Sequence, residues 1–359
     1  MRILTRYVAK AFLKMLMLCQ GAFITIYLVV DFMEKIARFT KSGAHWYHIV
    51  LFFIAKAPEI VSETAPLAVL MATLLTLGTL SMSSELTAMR SCGVGLARIS
   101  APILAIALLI SILSLLIGEL ILPRSYAERT YIQEVLIEKK SPSMYFRQHN
   151  IWHREEGSIL RASLFDPQGP SLKGITLWEV RDGTEPIRRT DAASGTLDER
   201  GWVFKDAMVR EFRAGEVSST RKFGRLAVRL ALKPADLKVL GKHSDGMTIA
   251  ELSRYCEKLK SGGYDPTRYL AQMHSRFSLP FGSAIMAFLG IPFALRSGRS
   301  SGIAFGIGLS LGIGFLYVMV NSVIISFGQV GLLPPVVAAW ATNFIFLLVG
   351  IWLSLTVDN

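Results

Sequence analysis

Residues 300–357 read SSGIAFGIGLSLGIGFLYVMVNSVIISFGQVGLLPPVVAAWATNFIFLLVGIWLSLTV, 58 residues without one Asp, Glu, Lys or Arg. As a single helix this run would reach about 87 Å at 1.5 Å per residue. The hydrocarbon of a bilayer is only about 30 Å thick. The run must therefore fold back on itself, and Gly328, Gly331, Pro334 and Pro335 mark the reversal. Two membrane-spanning helices follow from this stretch alone.

Four more stretches satisfy the same length rule. Residues 11–30 hold one charge, Lys14, near enough to the start to snorkel to the interface; residues 60–83 hold only Glu63; residues 99–118 and 277–295 hold none. Six spans result. The composition agrees, with 52% hydrophobic and 18% charged residues and a mean hydropathy of +0.42, where soluble domains carry about 25% charged residues. Gly and Pro are scattered without a period, which excludes a collagen-like chain. Three cysteines make neither a disulfide framework nor a four-ligand zinc site.

Charge sets the orientation. With six spans both termini share a side with the loops near residues 84–98 and 296–299. That side carries eight basic residues (Arg2, Arg6, Lys10, Lys14, Arg90, Arg98, Arg296 and Arg299) against Glu85 and Asp358, which the positive-inside rule assigns to the cytoplasm. No small-residue cleavage site follows the first apolar stretch, so the first helix is expected to stay as a span. The net charge of +12 thus has a membrane explanation, and no nucleic-acid partner is expected.

The hydrophilic residues 119–276 then lie outside the cytoplasm, with 27 Lys+Arg and 21 Asp+Glu. Strand signals fall at residues 149–154, 158–164, 174–180, 201–204 and 225–232, separated by turn signals at Asp166-Pro167, Asp182-Gly183, Glu185-Pro186 and Arg200-Gly201. The spacing suggests an antiparallel sandwich, jelly roll or open barrel. Thr248 with Glu251 forms a capping box opening a helix that stops at Gly262-Gly263. An amphipathic segment over 267–276 leads into the fourth span.

No phosphate-binding loop is present, because Gly241-Lys242 is followed by His243 and lacks the upstream glycine; HExxH, CxxC and GxSxG are absent too. His149 and His153 share a strand face, which leaves a weak surface metal site or, more ordinarily, two exposed histidines. Cys19, Cys92 and Cys256 fall in a span, a cytoplasmic loop and the outer domain, so they do not pair. No enzyme site is readable.

Several polar residues invite function. Ser83 or Ser84 would cap a short helix that Gly93 ends, placing Leu86, Met89 and Arg90 on one face with Glu85 beside Met89. This helix is either a docking element for a soluble partner or a lipid-facing interfacial helix. Past the first span come Asp31, Glu34, Lys35, Arg38 and Lys41, whose cations either hold lipid phosphates or anchor the helix at the interface. Arg124 and Arg129 pose the same pair of readings. Glu59 and Glu63, one turn apart, line a polar cavity or sit at the interface. Asn321 and Asn343 suit interhelical hydrogen bonds.

Three segments together, Arg6-Tyr7 with Lys10, the Ser84-Glu85-Leu86-Thr87-Ala88-Met89-Arg90 loop with Gly93, and the stretch from Met247 through Gly262 to Pro280, resemble the LptF/LptG (YjgP/YjgQ) permeases. The resemblance covers essentially the whole chain, and the Met1-Arg2-Ile3-Leu4 opening and the Trp202 region lean toward its LptG branch. It implies an α-helical membrane protein with six transmembrane helices and a periplasmic all-β, jellyroll-like domain inserted between helices 3 and 4. The expected domains are 1–122 (helices 1–3, with a coupling helix near 84–92), 123–266 (the β domain, with a connecting helix near 248–261) and 267–359 (helices 4–6).

The function implied is export of lipopolysaccharide from the outer leaflet of the bacterial inner membrane, in an ABC transporter. The implied partners are an LptB ATPase dimer that uses the ATP, a second permease subunit (LptF), LptC, and LptA reached through the jellyroll. This chain itself would bind no cofactor. Glu85, Leu86, Met89 and Arg90 become the ATPase-coupling residues. Lys35, Arg38, Lys41, Arg124 and Arg129 become the lipid-headgroup rim, although family members place a cation near the position of Asp31. The first and fifth spans would form a lateral gate, with Gly306, Gly308, Gly312 and Gly314 permitting close approach. Two rivals remain: a permease of the same build for another lipid or lipoprotein, and a scaffold or receptor without transport. A secondary transporter fits less well, because the last three spans lack the ionisable residues it would use.

Overall fold

The computed structural model describes residues 2–43, 45–138, 148–155, 157–166, 171–181, 185–198, 201–213, 216–228, 244–261, 265–296 and 303–357. They form two compact units, one of Met1–Thr130 with Thr267–Asn359 and one of Tyr131–Pro266.

The first unit is helical: α1 (Arg2–Ser42), α2 (Trp46–Met82), the short α3 (Glu85–Ser91), α4 (Leu96–Leu116), α5 (Leu122–Tyr131), α7 (Thr267–Arg296), α8 (Ile303–Gln329) and α9 (Pro335–Val357). Six helical stretches are long and apolar enough to cross a membrane, all among the described residues. The uncharged 58-residue run divides where expected. Gly331 takes φ +85°; its N–H bonds the carbonyl of Gly328 at 3.3 Å, and Leu332 N–H bonds that of Phe327 at 3.0 Å. These are the two bonds of a Schellman stop. Pro335 then starts α9 at the one helical position where a missing N–H costs nothing.

The third span differs from expectation. Rather than ending near Gly118, the helix continues from Leu96 to Ile137, through two wider turns at Ile117–Ile121 and Ile132–Ile137. Glu119, Arg124, Glu128 and Arg129 limit the membrane part of a helix, not the helix.

Small residues set the packing. A Cβ at Gly290 would lie 3.0 Å from Thr73, one at Gly314 2.5 Å from Leu67, and one at Gly328 2.3 Å from the Cβ of Ala338. The buried polar tie is Asn343, whose Nδ2 donates to the Ser278 carbonyl at 2.6 Å and whose Oδ1 accepts from the Tyr317 hydroxyl at 2.9 Å. It joins α7, α8 and α9.

The second unit holds one sheet of β1 (Gln148–Glu155), β2 (Ser158–Asp166), β3 (Ser171–Arg181), β4 (Glu185–Asp198), β5 (Gly201–Arg213) and β6 (Glu216–Val228). The strands lie in chain order and pair antiparallel throughout. β4 escapes the sequence reading, and its Glu185-Pro186 is strand rather than turn. EPIRRTDAASGTLD buries Thr190, Ala192 and Gly195 while presenting charges outward, so its apolar signal is weak. β6 begins nine residues earlier than expected, because its solvated face shows little alternation. The turns at Asp166-Pro167, Asp182-Gly183 and Arg200-Gly201, the residues 229–232 and the Gly262-Gly263 stop fall partly or wholly outside the described residues. So do the side chains of His149, His153 and Arg296, and both Arg299 and Asp358.

Leu160, Leu177, Ala162, Ile175, Ala192 and Ala207 fill the inner face with Leu172, Trp202 and Phe204. Across the sheet runs a seam. Ser163, Gly174, Ala193, Asp206 and Gly224 all drop out of the pairing while the register on either side is unchanged. Gly174 (φ +60°) and Asp206 (φ +51°) take left-handed backbone there. In-out alternation slips by one at the seam: in β5, Trp202 and Phe204 are buried, Lys205 and Asp206 exposed, then Ala207 and Val209 buried.

α6 (Ile249–Ser261) opens with the expected capping box. Thr248 N–H donates to Glu251 Oε2 at 3.0 Å, and Glu251 N–H donates to Thr248 Oγ1 at 3.2 Å. Burial pushes the Cys256 thiol on this helix up, and the charge of Glu257 adds to the effect.

Candidate functional site

Two polar centres lie at opposite ends of α1. The first surrounds α3. Gly93 ends this helix in left-handed backbone (φ +80°): its N–H bonds the Arg90 carbonyl at 2.9 Å and Val94 N–H bonds that of Met89 at 3.1 Å. The start differs from the capping expected. Ser84 takes φ +61° and makes no side-chain cap bond, while the Ser83 hydroxyl donates to Glu85 Oε1 at 3.0 Å. The Tyr7 hydroxyl of α1 donates to Glu85 Oε2 at 2.6 Å. The carboxylate is thus held on both oxygens, beside the positive end of the helix.

The four coupling candidates divide. Leu86 is buried and Met89 packs against the bundle core. Arg90 is exposed and Glu85 half-exposed. The expected shared face of Leu86, Met89 and Arg90 is split, with the apolar pair inward and the charges outward.

The second centre lies near the α1–α2 hairpin. Asp31 is buried, and Lys35 Nζ donates to both its oxygens at 2.7 and 2.8 Å. Lys56 of α2, also buried, donates to Oδ1 at 2.7 Å. Lys35 lies 5.0 Å from the ring centre of Phe52, and Lys56 5.0 Å from that of Tyr27. One turn further along α2, Glu59 pairs with Arg129 of α5, and the Ser125 hydroxyl donates to the Ala55 carbonyl. Asp31 therefore acts as counterion to two lysines, and Glu59 is paired rather than merely interfacial.

Of the five rim candidates, Lys35 and Arg129 sit on internal carboxylates, whereas Arg38, Lys41 and Arg124 are exposed. Midway along α1, Gln20 Nε2 donates to Thr64 Oγ1 at 2.7 Å. Sequence reasoning missed Lys56, Tyr7 as a donor, and Gln20; the only available signal for Lys56 was a cation set among apolar residues just before Pro58. Among the gate glycines, Gly306 and Gly314 face Leu75 and Leu67 of α2, while a Cβ at Gly308 or Gly312 would meet nothing.

Among the described residues, six helices long and apolar enough to cross a membrane, divided three and three along the chain by a sheet domain, define a polytopic membrane protein. Residues 6–356 match the family described as lipopolysaccharide export system permease LptF/LptG, and this chain belongs to that family. It is 22% identical over 360 residues to lipopolysaccharide export system permease protein LptG of Escherichia coli strain K12, covering 98% of this chain and 97% of that protein. The LptG protein of Haemophilus influenzae is 21% identical over 354 residues, covering 98% and 97%. LptF of Escherichia coli strain K12 is 23% identical over 372 residues, covering 98% and 94%. The family match extends through both units.

Proposed function

We propose that this chain is the LptG-type permease subunit of an ABC transporter that extracts lipopolysaccharide from the outer leaflet of the bacterial inner membrane. The observation that carries the reading is the family match over residues 6–356. A multi-chain lipid does not leave the bilayer unaided, since each buried methylene holds it by about 0.8 kcal/mol. The sequence has no phosphate-binding loop, so the energy comes from a separate ATPase, an LptB dimer, that binds ATP in place of this chain.

In this reading the basic N-terminus, α3 and the 296–299 loop face the cytoplasm, and Glu85 presents its carboxylate to the ATPase. Arg38, Lys41 and Arg124 meet lipid phosphates directly, with Lys35 and Arg129 held on Asp31 and Glu59. The sheet unit lies in the periplasm and passes lipid toward LptC and LptA. LptF supplies the other half of the cavity.

The test is reconstitution of the chain with those subunits in proteoliposomes. ATP-dependent release of lipopolysaccharide to a soluble acceptor is the expected outcome. Release of a different lipid, or ATP hydrolysis without any lipid release, would move the permease for another cargo or the scaffold reading to the front.

A further inference from the structure

The outer face of the sheet carries charge that the reading above does not use. Residues directly opposite one another on neighbouring strands share a face about 5 Å apart. One such row is Arg161, Thr176, Asp191, Met208 and Lys222; beside it runs the seam, and beyond the seam Lys173, Ser194, Lys205 and Arg225. Arg161, Lys173, Lys205, Lys222 and Arg225 are all exposed. Because the alternation slips at the seam, two successive residues turn outward there in β3 (173–174), β4 (193–194) and β5 (205–206), which leaves Lys173 and Lys205, with Arg225 paired to Lys205, as a crest of cations along it. A further row holds Trp178, Arg189 and Arg210.

Within these rows the acids are Asp191 and Asp206. Asp191 is engaged by Arg189 at 2.9 Å and by Arg210 at 3.4 Å. Trp178 is half-buried, with the Arg189 guanidinium 4.8 Å from its ring centre. The face is therefore positive on balance, with Trp178 two rows from the seam and packed against Phe212. No large apolar side chain in these rows is exposed, among those described, so nothing is available to enter a bilayer interface as membrane-surface elements do.

We propose that this face binds the phosphorylated saccharide headgroup of the carried lipid, the phosphates on the crest cations and the sugar rings toward Trp178. The proposal rests on the lipopolysaccharide reading above. It gives the two sheet faces different tasks, the inner one apolar and the outer one anion-binding.

The probe is fluorescently labelled oligosaccharide released from lipopolysaccharide by mild acid, titrated by polarisation onto the full chain in nanodiscs with its partner subunits. Wild type is expected to bind it, and Lys173→Gln/Lys205→Gln/Arg225→Gln to bind at least tenfold more weakly. Lys205→Arg, which keeps the charge, should bind as wild type, and phosphatase-treated probe should bind wild type as weakly as the triple variant does. Unchanged affinity in the triple variant, or binding indifferent to phosphatase, overturns the proposal. So does loss of binding to phosphatidylglycerol vesicles alone, which would assign the face to a membrane surface. Failure of wild type to release lipopolysaccharide in the ATP-driven assay would instead count against the underlying transport reading.

Discussion

α1 and α2 are of similar length and their most apolar stretches are almost equally so, yet they live differently. In the most apolar window of α2, 61% of residues are buried inside the chain; in that of α1 only 6% are. α2 lies inside the bundle, packed by α1, α7 and α8. α1 lies along its side, held by a stripe of Val8, Phe12 and Cys19 and by three polar ties, at Tyr7, Gln20 and Asp31. Hydropathy states that both helices suit lipid. It does not state which has protein around it, because lipid tails and Leu side chains are equivalent solvents. What distinguishes them is directional bonding. Apolar contacts surround α2, whereas α1 holds to the bundle along one side, through its apolar stripe, Phe39 against Phe52 and Phe53, and those three ties.

The heaviest test of that contrast is Asp31→Leu. It strands the buried ammonium of Lys56 and leaves Lys35 without its carboxylate. Removing one partner of a buried ion pair costs about 3 kcal/mol or more. Thermal unfolding in detergent should show the loss, and Asp31→Leu/Lys56→Met should recover most of it. An additive double variant would mean that the ties are not what holds α1.

A second test exploits the glycines of α8. A side chain at Gly314 collides with Leu67 of α2, so Gly314→Leu should destabilise the isolated chain by about 1–3 kcal/mol. Gly312 faces open space, so Gly312→Leu should leave that stability within about 0.5 kcal/mol. It should instead reduce co-purification of the second permease subunit. Equal effects of the two substitutions on the isolated chain would erase the distinction between packed and outward faces.

Asn343→Ala is smaller still. It removes the acceptor for Tyr317 and the donor to Ser278. Interhelical hydrogen bonds in membranes average about 0.6 kcal/mol, so about 1 kcal/mol is expected for the two, read by the same unfolding measurement.

The same contrast explains what was legible in the sequence. The six spans and the reversal at Gly331 follow from length and charge, and the α6 capping box from two residues three apart. β4 was not legible, because a strand whose outward residues are Arg and Asp and whose inward ones are Thr, Ala and Gly carries little apolar contrast. Nor was the seam, since nothing local distinguishes Ser163 or Ala193 from their neighbours and only the paired register aligns them. Of the polar centres, Glu85 and Lys35 stood out as charges near span ends. Tyr7 lies 78 positions from Glu85, and Lys56 lies 25 from Asp31, the carboxylate it shares with Lys35, and no periodicity within one helix links such distances.

The lightest prediction for stability is the most informative about coupling. Tyr7→Phe removes one hydroxyl from an exposed hydrogen bond, so the unfolding midpoint should hardly shift. Val8 and Phe12 still anchor this end of α1. Yet that hydroxyl links α1 directly to Glu85, the residue proposed to meet the ATPase, so the span with the least protein around it is tied to the element proposed to be driven. If α1 moves with α3, Tyr7→Phe should preserve complex assembly and ATP hydrolysis while lowering the lipid released per ATP severalfold. Glu85→Gln should behave differently: its amide oxygen still accepts from Tyr7, but the charge offered to a partner is gone, so assembly or hydrolysis should fall first. Matching profiles for the two variants would mean that Tyr7 serves only to place the carboxylate, and that α1 takes its cue from packing along its buried stripe instead.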